Sequence, residues 1–260
     1  MKNENQRLNV DGVYLEYRWI GQQLAGQPVL VFLHEGLGCV DLWRDFPDKL
    51  SCDTGLPAFV YSRKGYGNSD PQEQPRSLDF MHIEGLNVLP MVLDEAEIES
   101  AILIGHSDGA SIAIIHTGNS DDDRIKGLIL EAPHLFVEQK TITGIRQIKT
   151  VYEQGNLRER LKRYHGENVD NAFRGWVEAW LDPAFESCNI EEYVPLISVP
   201  TMAVQGCADE YGTDAHIKAL KTLLPGSVEI IELRDCGHSP HIDKAQDTLE
   251  AMTNFIMRII

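Results

Sequence analysis

Short runs of aliphatic and β-branched residues recur along the chain, separated by stretches of helical periodicity, and this alternation restricts the possible folds more than any other feature. The runs are VYLEYRWIG (13–21), PVLVFLH (28–34), PAFVYS (57–62), SAILIGH (100–106), GLILEAP (127–133), PTMAVQG (200–206) and SVEIIEL (227–233). The inner ones are apolar at odd and even positions alike, so both faces of each strand need cover. That pattern predicts an α/β fold, a mostly parallel central sheet flanked by helices on both sides. The final segment supplies one such helix, with Ala245, Leu249, Met252, Phe255, Ile256 and Ile259 recurring at three- and four-residue intervals.

The alternation fails once, over residues 134–199, which hold no strand-like run. Two apolar helix faces occur there instead: Ile142, Ile145, Ile148 and Val151 on one, and Phe173, Trp176, Val177, Trp180 and Leu181 on the other. A structureless loop of that length would not fit a compact domain. Residues 134–199 are therefore read as a helical cap inserted into a core formed by 1–133 and 200–260.

Composition excludes some partners. The 23 Lys and Arg residues face 40 Asp and Glu, a net charge of −17, which repels polyanions and leaves no basic stripe, so no nucleic acid is expected. The opening MKNENQRLNVDG is polar, and no run approaches the ~18 apolar residues that span a bilayer. The mature protein is expected to begin there, in the cytoplasm and off the membrane, as a monomer or homodimer. Five cysteines, at 39, 52, 188, 207 and 236, form an odd and scattered set, which predicts reduced thiols.

The stretch ILIGHSDGASIAIIHTG (102–118) carries the strongest chemical signal. Ile102 to Ile104 finish a strand, and Ala110 to His116 read as a small-residue helix closed by Gly118. Ser107 thus sits between Gly105 and Gly109 on a strand-to-helix turn, where a G-x-S-x-G sequence exposes the hydroxyl above the sheet. Alone the pattern is weak, because Gly and Ser abound in turns. A serine hydroxyl also needs a base within hydrogen-bond reach and a carboxylate to orient that base. Asp209, in GCADE, follows PTMAVQ; His238, in RDCGHSPH, follows SVEIIEL. Glu210 is the alternative orienter. His106 reads as a pocket wall or a core hydrogen bonder, and His34 and Arg63 as groups that hydrogen-bond the loops around the turn. Cys207, Cys236, His238 and His241 match no zinc-module spacing. RKGYGNSDP lacks the Lys-Ser/Thr and helix start of a phosphate cradle.

FLHEGLG, YSRKGYGNSD, GHSDG, GCADE and CGHSPH, in this order, resemble the α/β-hydrolase fold family in its small capped form, from about Gln27 to the C-terminus. The resemblance implies Ser107 as nucleophile, Asp209 as triad acid and His238 as general base, with no cofactor and no metal. It implies an oxyanion hole of the Asp108 N–H and a second donor from HEGLG, Gly36 or its neighbour Leu37; Glu35 stands where the family usually has glycine. Leu37, His106, Trp176 and Trp180 are expected around the substrate. The expected reaction is hydrolysis of a small carboxylic ester through an acyl-enzyme. Cleavage of a carbon–carbon bond, lactone or amide, and acyl transfer, are alternatives on the same elbow. A non-catalytic small-molecule binder is the alternative of another class. Epoxide hydrolases and dehalogenases use a carboxylate where this chain has Ser107, which disfavours them.

Overall fold

In a computed structural model describing residues 6–119 and 122–260, two fully buried strands, β3 (Val29–Leu33) and β5 (Ala101–His106), lie side by side in parallel. Their residues alternate between two cores. Val29, Val31, Leu33, Ala101 and Leu103 enter one, while Leu30, Phe32, Ile102 and Ile104 enter the other. Strands that are apolar throughout thus fit a sheet buried on both faces.

Around this pair the described residues form an eight-stranded sheet. With β1 (Gln6–Val10), β2 (Val13–Ile20), β4 (Ala58–Tyr61), β6 (Ile125–Glu131), β7 (Thr201–Gly206) and β8 (Val228–Leu233), the order is β1-β2-β4-β3-β5-β6-β7-β8. From β4 to β8 all pairs are parallel; β1–β2 and β2–β4 are antiparallel. Seven strands fall where the apolar runs predict them. β1 was not predicted: only Val10 of its five residues is buried, so it carries little hydrophobic signal. It is an edge strand joined to β2 by Asp11-Gly12, both at positive φ, a turn that suits a tight hairpin.

Helices cover both faces. α1 (Phe46–Thr54) packs against the C-terminal α10 (Ala245–Ile259) on one side, with Phe46, Leu50, Leu249, Met252, Phe255 and Ile256 in a shared core. The short α2 (Phe80–Ile83), α3 (Leu89–Glu95) and α4 (Asp108–Asn119) cover the other. Gly118 does not close α4, which continues to Asn119. A Cβ on Gly118 would lie 2.2 Å from the Tyr193 carbonyl oxygen, so the glycine allows close approach of the 191–196 segment.

Between β6 and β7 the chain forms α5 (Gln139–Gln154), α6 (Leu157–His165) and α7 (Val169–Leu181), with short helical turns before β7 and an isolated bridge between Phe136 and Asn189. Ile142 and Ile145 are buried on α5 as expected, but Val151 is 48% exposed. Tyr152, seven residues after Ile145 and hence on the same face, is buried instead and stacks on Phe173 at 3.6 Å. Polar ties fasten this insertion to the core loops. The His165 Nε2–H donates to the Leu37 carbonyl at 2.9 Å while its Nδ1 accepts from Gly67 N–H at 3.0 Å. After β7 come α8 (Ala215–Leu223) and, beyond β8, the single turn α9 (Pro240–Asp243).

Candidate active site

The elbow follows from steric necessity. Ser107 lies between β5 and α4 at φ +53°, a left-handed conformation that costs energy for any residue with a Cβ and persists only where the surroundings enforce it. Here they do. A Cβ on Gly105 would come within 2.4 Å of the Gly109 carbonyl oxygen, and one on Gly109 within 2.0 Å of the Leu33 carbonyl oxygen. Only glycine fits on either side, so the chain must reverse at the serine. The Ser107 N–H donates to the Glu131 carbonyl at 2.9 Å, which fixes the turn to β6.

Asp209 and His238 meet from the ends of β7 and β8. The His238 Nδ1–H lies 2.9 Å from both Asp209 carboxylate oxygens. Asp209 is locked in turn: Oδ1 accepts from the N–H groups of Tyr211 (2.8 Å) and Gly212 (3.2 Å), and Oδ2 from Gln205 Nε2 (2.8 Å). Burial pushes its carboxyl upward, but the bond from His238, the charge beside it and the Tyr211 and Gln205 donors win, holding it well below the usual carboxylate range. Glu210 points elsewhere, its Oε2 accepting from the His238 backbone N–H at 3.2 Å.

Ser107 and His238 line one cavity of about 230 Å³, together with Gly36, Leu37, Asp108, Trp176, Trp180, His134 and Tyr211. No hydrogen bond joins the Ser107 hydroxyl to the imidazole among the described residues. Asp108 opens α4, so its N–H is one of the four that a helix leaves unpaired. The Gly36 and Leu37 N–H groups likewise make no hydrogen bond to described residues. A Cβ on Gly36 would lie 2.0 Å from Trp176 Nε1, so the loop packs directly on the indole.

His106 is the expected pocket residue that the cavity does not include. It is turned into the protein, where its Nε2–H donates to the His238 carbonyl at 2.7 Å and its Nδ1 lies 3.7 Å from Glu35 Oε2. Successive residues at a turn project to different sides, and Ser107 takes the cavity side. Beyond His106, His241 Nδ1 meets Glu131 Oε2 at 2.7 Å. The loop bearing Gly36, the elbow and the loop bearing His238 are thus linked through His106, which faces Glu35 on one side and bonds the His238 carbonyl on the other. His34 and Arg63 support the same region: Arg63 donates to the His34 and Glu35 carbonyls, and its N–H to His34 Nε2 at 3.1 Å. Among the described residues the one grouping of metal-ligating types is His106, Glu131 and His241, all buried, with His241 Nδ1 bonded to Glu131 Oε2 and His106 Nε2 to the His238 carbonyl.

The Glu35–His106 pair gives a pH prediction. Burial alone would lower the His106 imidazole, but the Glu35 carboxylate and Glu131 behind it push it up to about 9, from an ordinary 6.5. A group raised in the folded state stabilises fully below its unfolded value and stops doing so as pH climbs through its folded value. The melting temperature of the wild type should therefore decline as pH rises through about 9. In Glu35→Gln only Glu131 and the His238 carbonyl still oppose burial at His106, so the variant should melt lower at neutral pH and show a smaller alkaline decline. Parallel melting curves against pH would contradict the assignment.

Sequence reasoning missed His134, Thr141, Ile145, Tyr211 and Ser239 on the cavity wall. Position after a strand end was the available signal for His134 and Tyr211, which follow β6 and β7. Ile145 was marked only as part of an apolar helix face, and nothing in the sequence marked Thr141.

The fold corresponds to that of known proteins. A model of the Alpha/beta hydrolase family matches residues 30–251, and the chain belongs to that family. A proline iminopeptidase from Lactiplantibacillus plantarum is 32% identical over 121 residues, 46% of this chain and 41% of that protein. Epoxide hydrolase 3 from Siraitia grosvenorii is 29% identical over 151 residues, 57% of this chain and 45% of that protein. The chain thus matches less than half the length of either. Among solved structures, the enol-lactonase from Burkholderia xenovorans LB400 superimposes with a TM-score of 0.76 at 18% identity, covering 97% of this chain and 100% of that one. An esterase from Exiguobacterium antarcticum gives 0.76 at 17% identity, covering 98% and 100%. At such identities these structures share the fold. No helix among the described residues is long and apolar enough to cross a membrane.

Proposed function

We propose that the protein is a serine hydrolase that cleaves a small carboxylic ester through an acyl-enzyme, with Ser107 as nucleophile, His238 as general base and Asp209 as the group that orients the base. The observation that carries this reading is the Asp209–His238 pair facing the same cavity as a serine held at φ +53° on a glycine-flanked elbow. Asp209 fixes the tautomer, so Nε2 is the atom that takes the serine proton. The open serine–imidazole contact is the kind that tightens when substrate binds. As the hydroxyl attacks the carbonyl, the negative charge would rest on the Asp108 N–H and on the Gly36 or Leu37 N–H, each such donor worth about 3 kcal/mol of barrier. His238 then returns its proton to the leaving alcohol, and water releases the acyl group by the same route.

The insertion between β6 and β7 acts in this reading as a cap, with Trp176 and Trp180 as the apolar wall against which the substrate packs. Peptidase and epoxide hydrolase activities carried by the relatives require different things of the elbow. Opening an epoxide by covalent attack on saturated carbon calls for a carboxylate nucleophile, and position 107 is serine. Amide cleavage uses the same three residues and differs only in the leaving group.

A panel of p-nitrophenyl acetate and butyrate, proline p-nitroanilide and styrene oxide tests the reading. Turnover of the esters is expected to exceed that of the anilide, with no epoxide opening. Preference for the anilide would make the protein a peptidase, and opening of styrene oxide would overturn the serine mechanism.

A further inference from the structure

Two buried polar atoms on the cavity wall, one on His134 and one on Asp108, have no hydrogen-bond partner among the described residues. The His134 side chain is only 4% exposed, yet neither ring nitrogen is hydrogen-bonded to a described residue, and Nδ1 is closed off from solvent. Asp108 Oδ2 is in the same condition, although Oδ1 accepts from Trp180 Nε1 at 3.2 Å. Buried polar groups are almost always paired, and these two border a cavity that can bring them a partner. Both residues line the cavity that contains Ser107.

His134 is held rather than loose. Its ring is packed edge-on by Trp180 at 5.6 Å and His216 at 5.2 Å, and lies 5.5 Å from the ring of His238. Its carbonyl accepts from Ser111 Oγ at 2.6 Å, and the next N–H, of Leu135, donates to His216 Nδ1 at 3.2 Å. Burial, and then the neighbouring His216 and His238, hold the imidazole neutral. It therefore offers one N–H donor and one lone pair, a match for a hydroxyl, which both donates and accepts. Burial likewise raises the Asp108 carboxyl, favouring its uncharged form.

Resting on the hydrolase reading above, we propose that His134 and Asp108 form a polar specificity subsite for an uncharged hydroxyl on the substrate, a few bonds from the scissile carbonyl. The substrate class is then a short hydroxylated ester, not a plain alkyl ester. A site built to hydrogen-bond a hydroxyl discriminates against the analogue lacking it, because its own buried groups are then left unpaired.

The test compares matched pairs with the intact protein: p-nitrophenyl butyrate against p-nitrophenyl 3-hydroxybutyrate for the acyl side, and ethyl against 2-hydroxyethyl butyrate for the alcohol side. Each rate is normalised to alkaline hydrolysis of the same ester. In at least one pair the hydroxylated member should lead in kcat/KM by about tenfold or more. His134→Phe, which keeps an aromatic ring without the nitrogens, should bring that ratio close to one. His134→Asn, which keeps a donor and an acceptor, should retain part of it. A ratio near one in both wild-type pairs overturns the subsite and leaves the hydrolase reading standing. So does a ratio unchanged in His134→Phe, the outcome for a histidine that only packs. Should that variant fail to fold, the wild-type ratios and His134→Asn still decide. Turnover of none of the four esters overturns the hydrolase reading, and the subsite with it.

Discussion

Replacing Ser107 with alanine is expected to lower kcat for p-nitrophenyl acetate by a factor of about 10⁴ to 10⁶ and to leave the melting temperature close to that of the wild type. The two halves of that expectation have separate physical grounds. Without Oγ no acyl-enzyme forms, and what remains is the modest acceleration given by oxyanion donors and substrate binding. Stability is spared because the hydroxyl makes no hydrogen bond to a described residue, and alanine bears the same positive φ that serine already bears. Melting curves and initial rates on the same preparation separate loss of chemistry from loss of fold. Undiminished turnover by a folded Ser107→Ala protein would remove the nucleophile from the account.

Replacing Asp209 with asparagine should cost about 10³ to 10⁴ in kcat. The reason is directional. Two backbone N–H groups point at Oδ1, so the amide oxygen of asparagine must take that place, and its NH₂ then falls at the Oδ2 position. There it meets Gln205 Nε2, another donor, and the Gln205 amide would have to turn over to relieve the clash. Presented with a donor, the imidazole can turn its lone pair toward residue 209 and its proton toward Ser107, the wrong tautomer for a base. The native carboxyl is held so far down that it stays ionised throughout the neutral range. The acid limb of the rate profile should therefore not follow Asp209, and Asp209→Asn should lower the plateau of kcat at every pH. A variant retaining more than a tenth of wild-type kcat would contradict the orienting role.

Periodicity made the core of the fold legible. β3, β5, β6 and β7 are buried along their whole length or nearly so, and their composition follows from that. The elbow was legible because its two glycines are sterically compulsory, and a steric rule of that kind leaves a local trace. β1 was missed because an edge strand with one buried residue has almost no pattern to show, although its Asp-Gly turn was in plain sight. Val151 was misplaced by treating a three-residue spacing as a continuing face. The helical period of 3.6 carries that face to Tyr152 instead.

The site divides in the same way. Asp209 and His238 could be proposed from chain order because each follows a strand, and parallel strands deliver their ends to one edge. Partners within that edge could not be read. Glu35 and His106 are 71 positions apart and His106 and His241 a further 135, so no local pattern records that they share a buried network. Glu35 departs from the family's usual glycine. In the structure it becomes the counter-charge to a histidine that donates to the His238 backbone.

The central claim is that the Ser107 hydroxyl is activated by His238, and one measurement addresses it without assuming a substrate. The protein is treated with a fluorophosphonate and digested, and the adduct is located by mass spectrometry. A single phosphonylated site is expected, Ser107, labelled in the wild type and unlabelled in a folded His238→Ala variant. Labelling at another serine, or equal labelling of Ser107 with and without the imidazole, would contradict it.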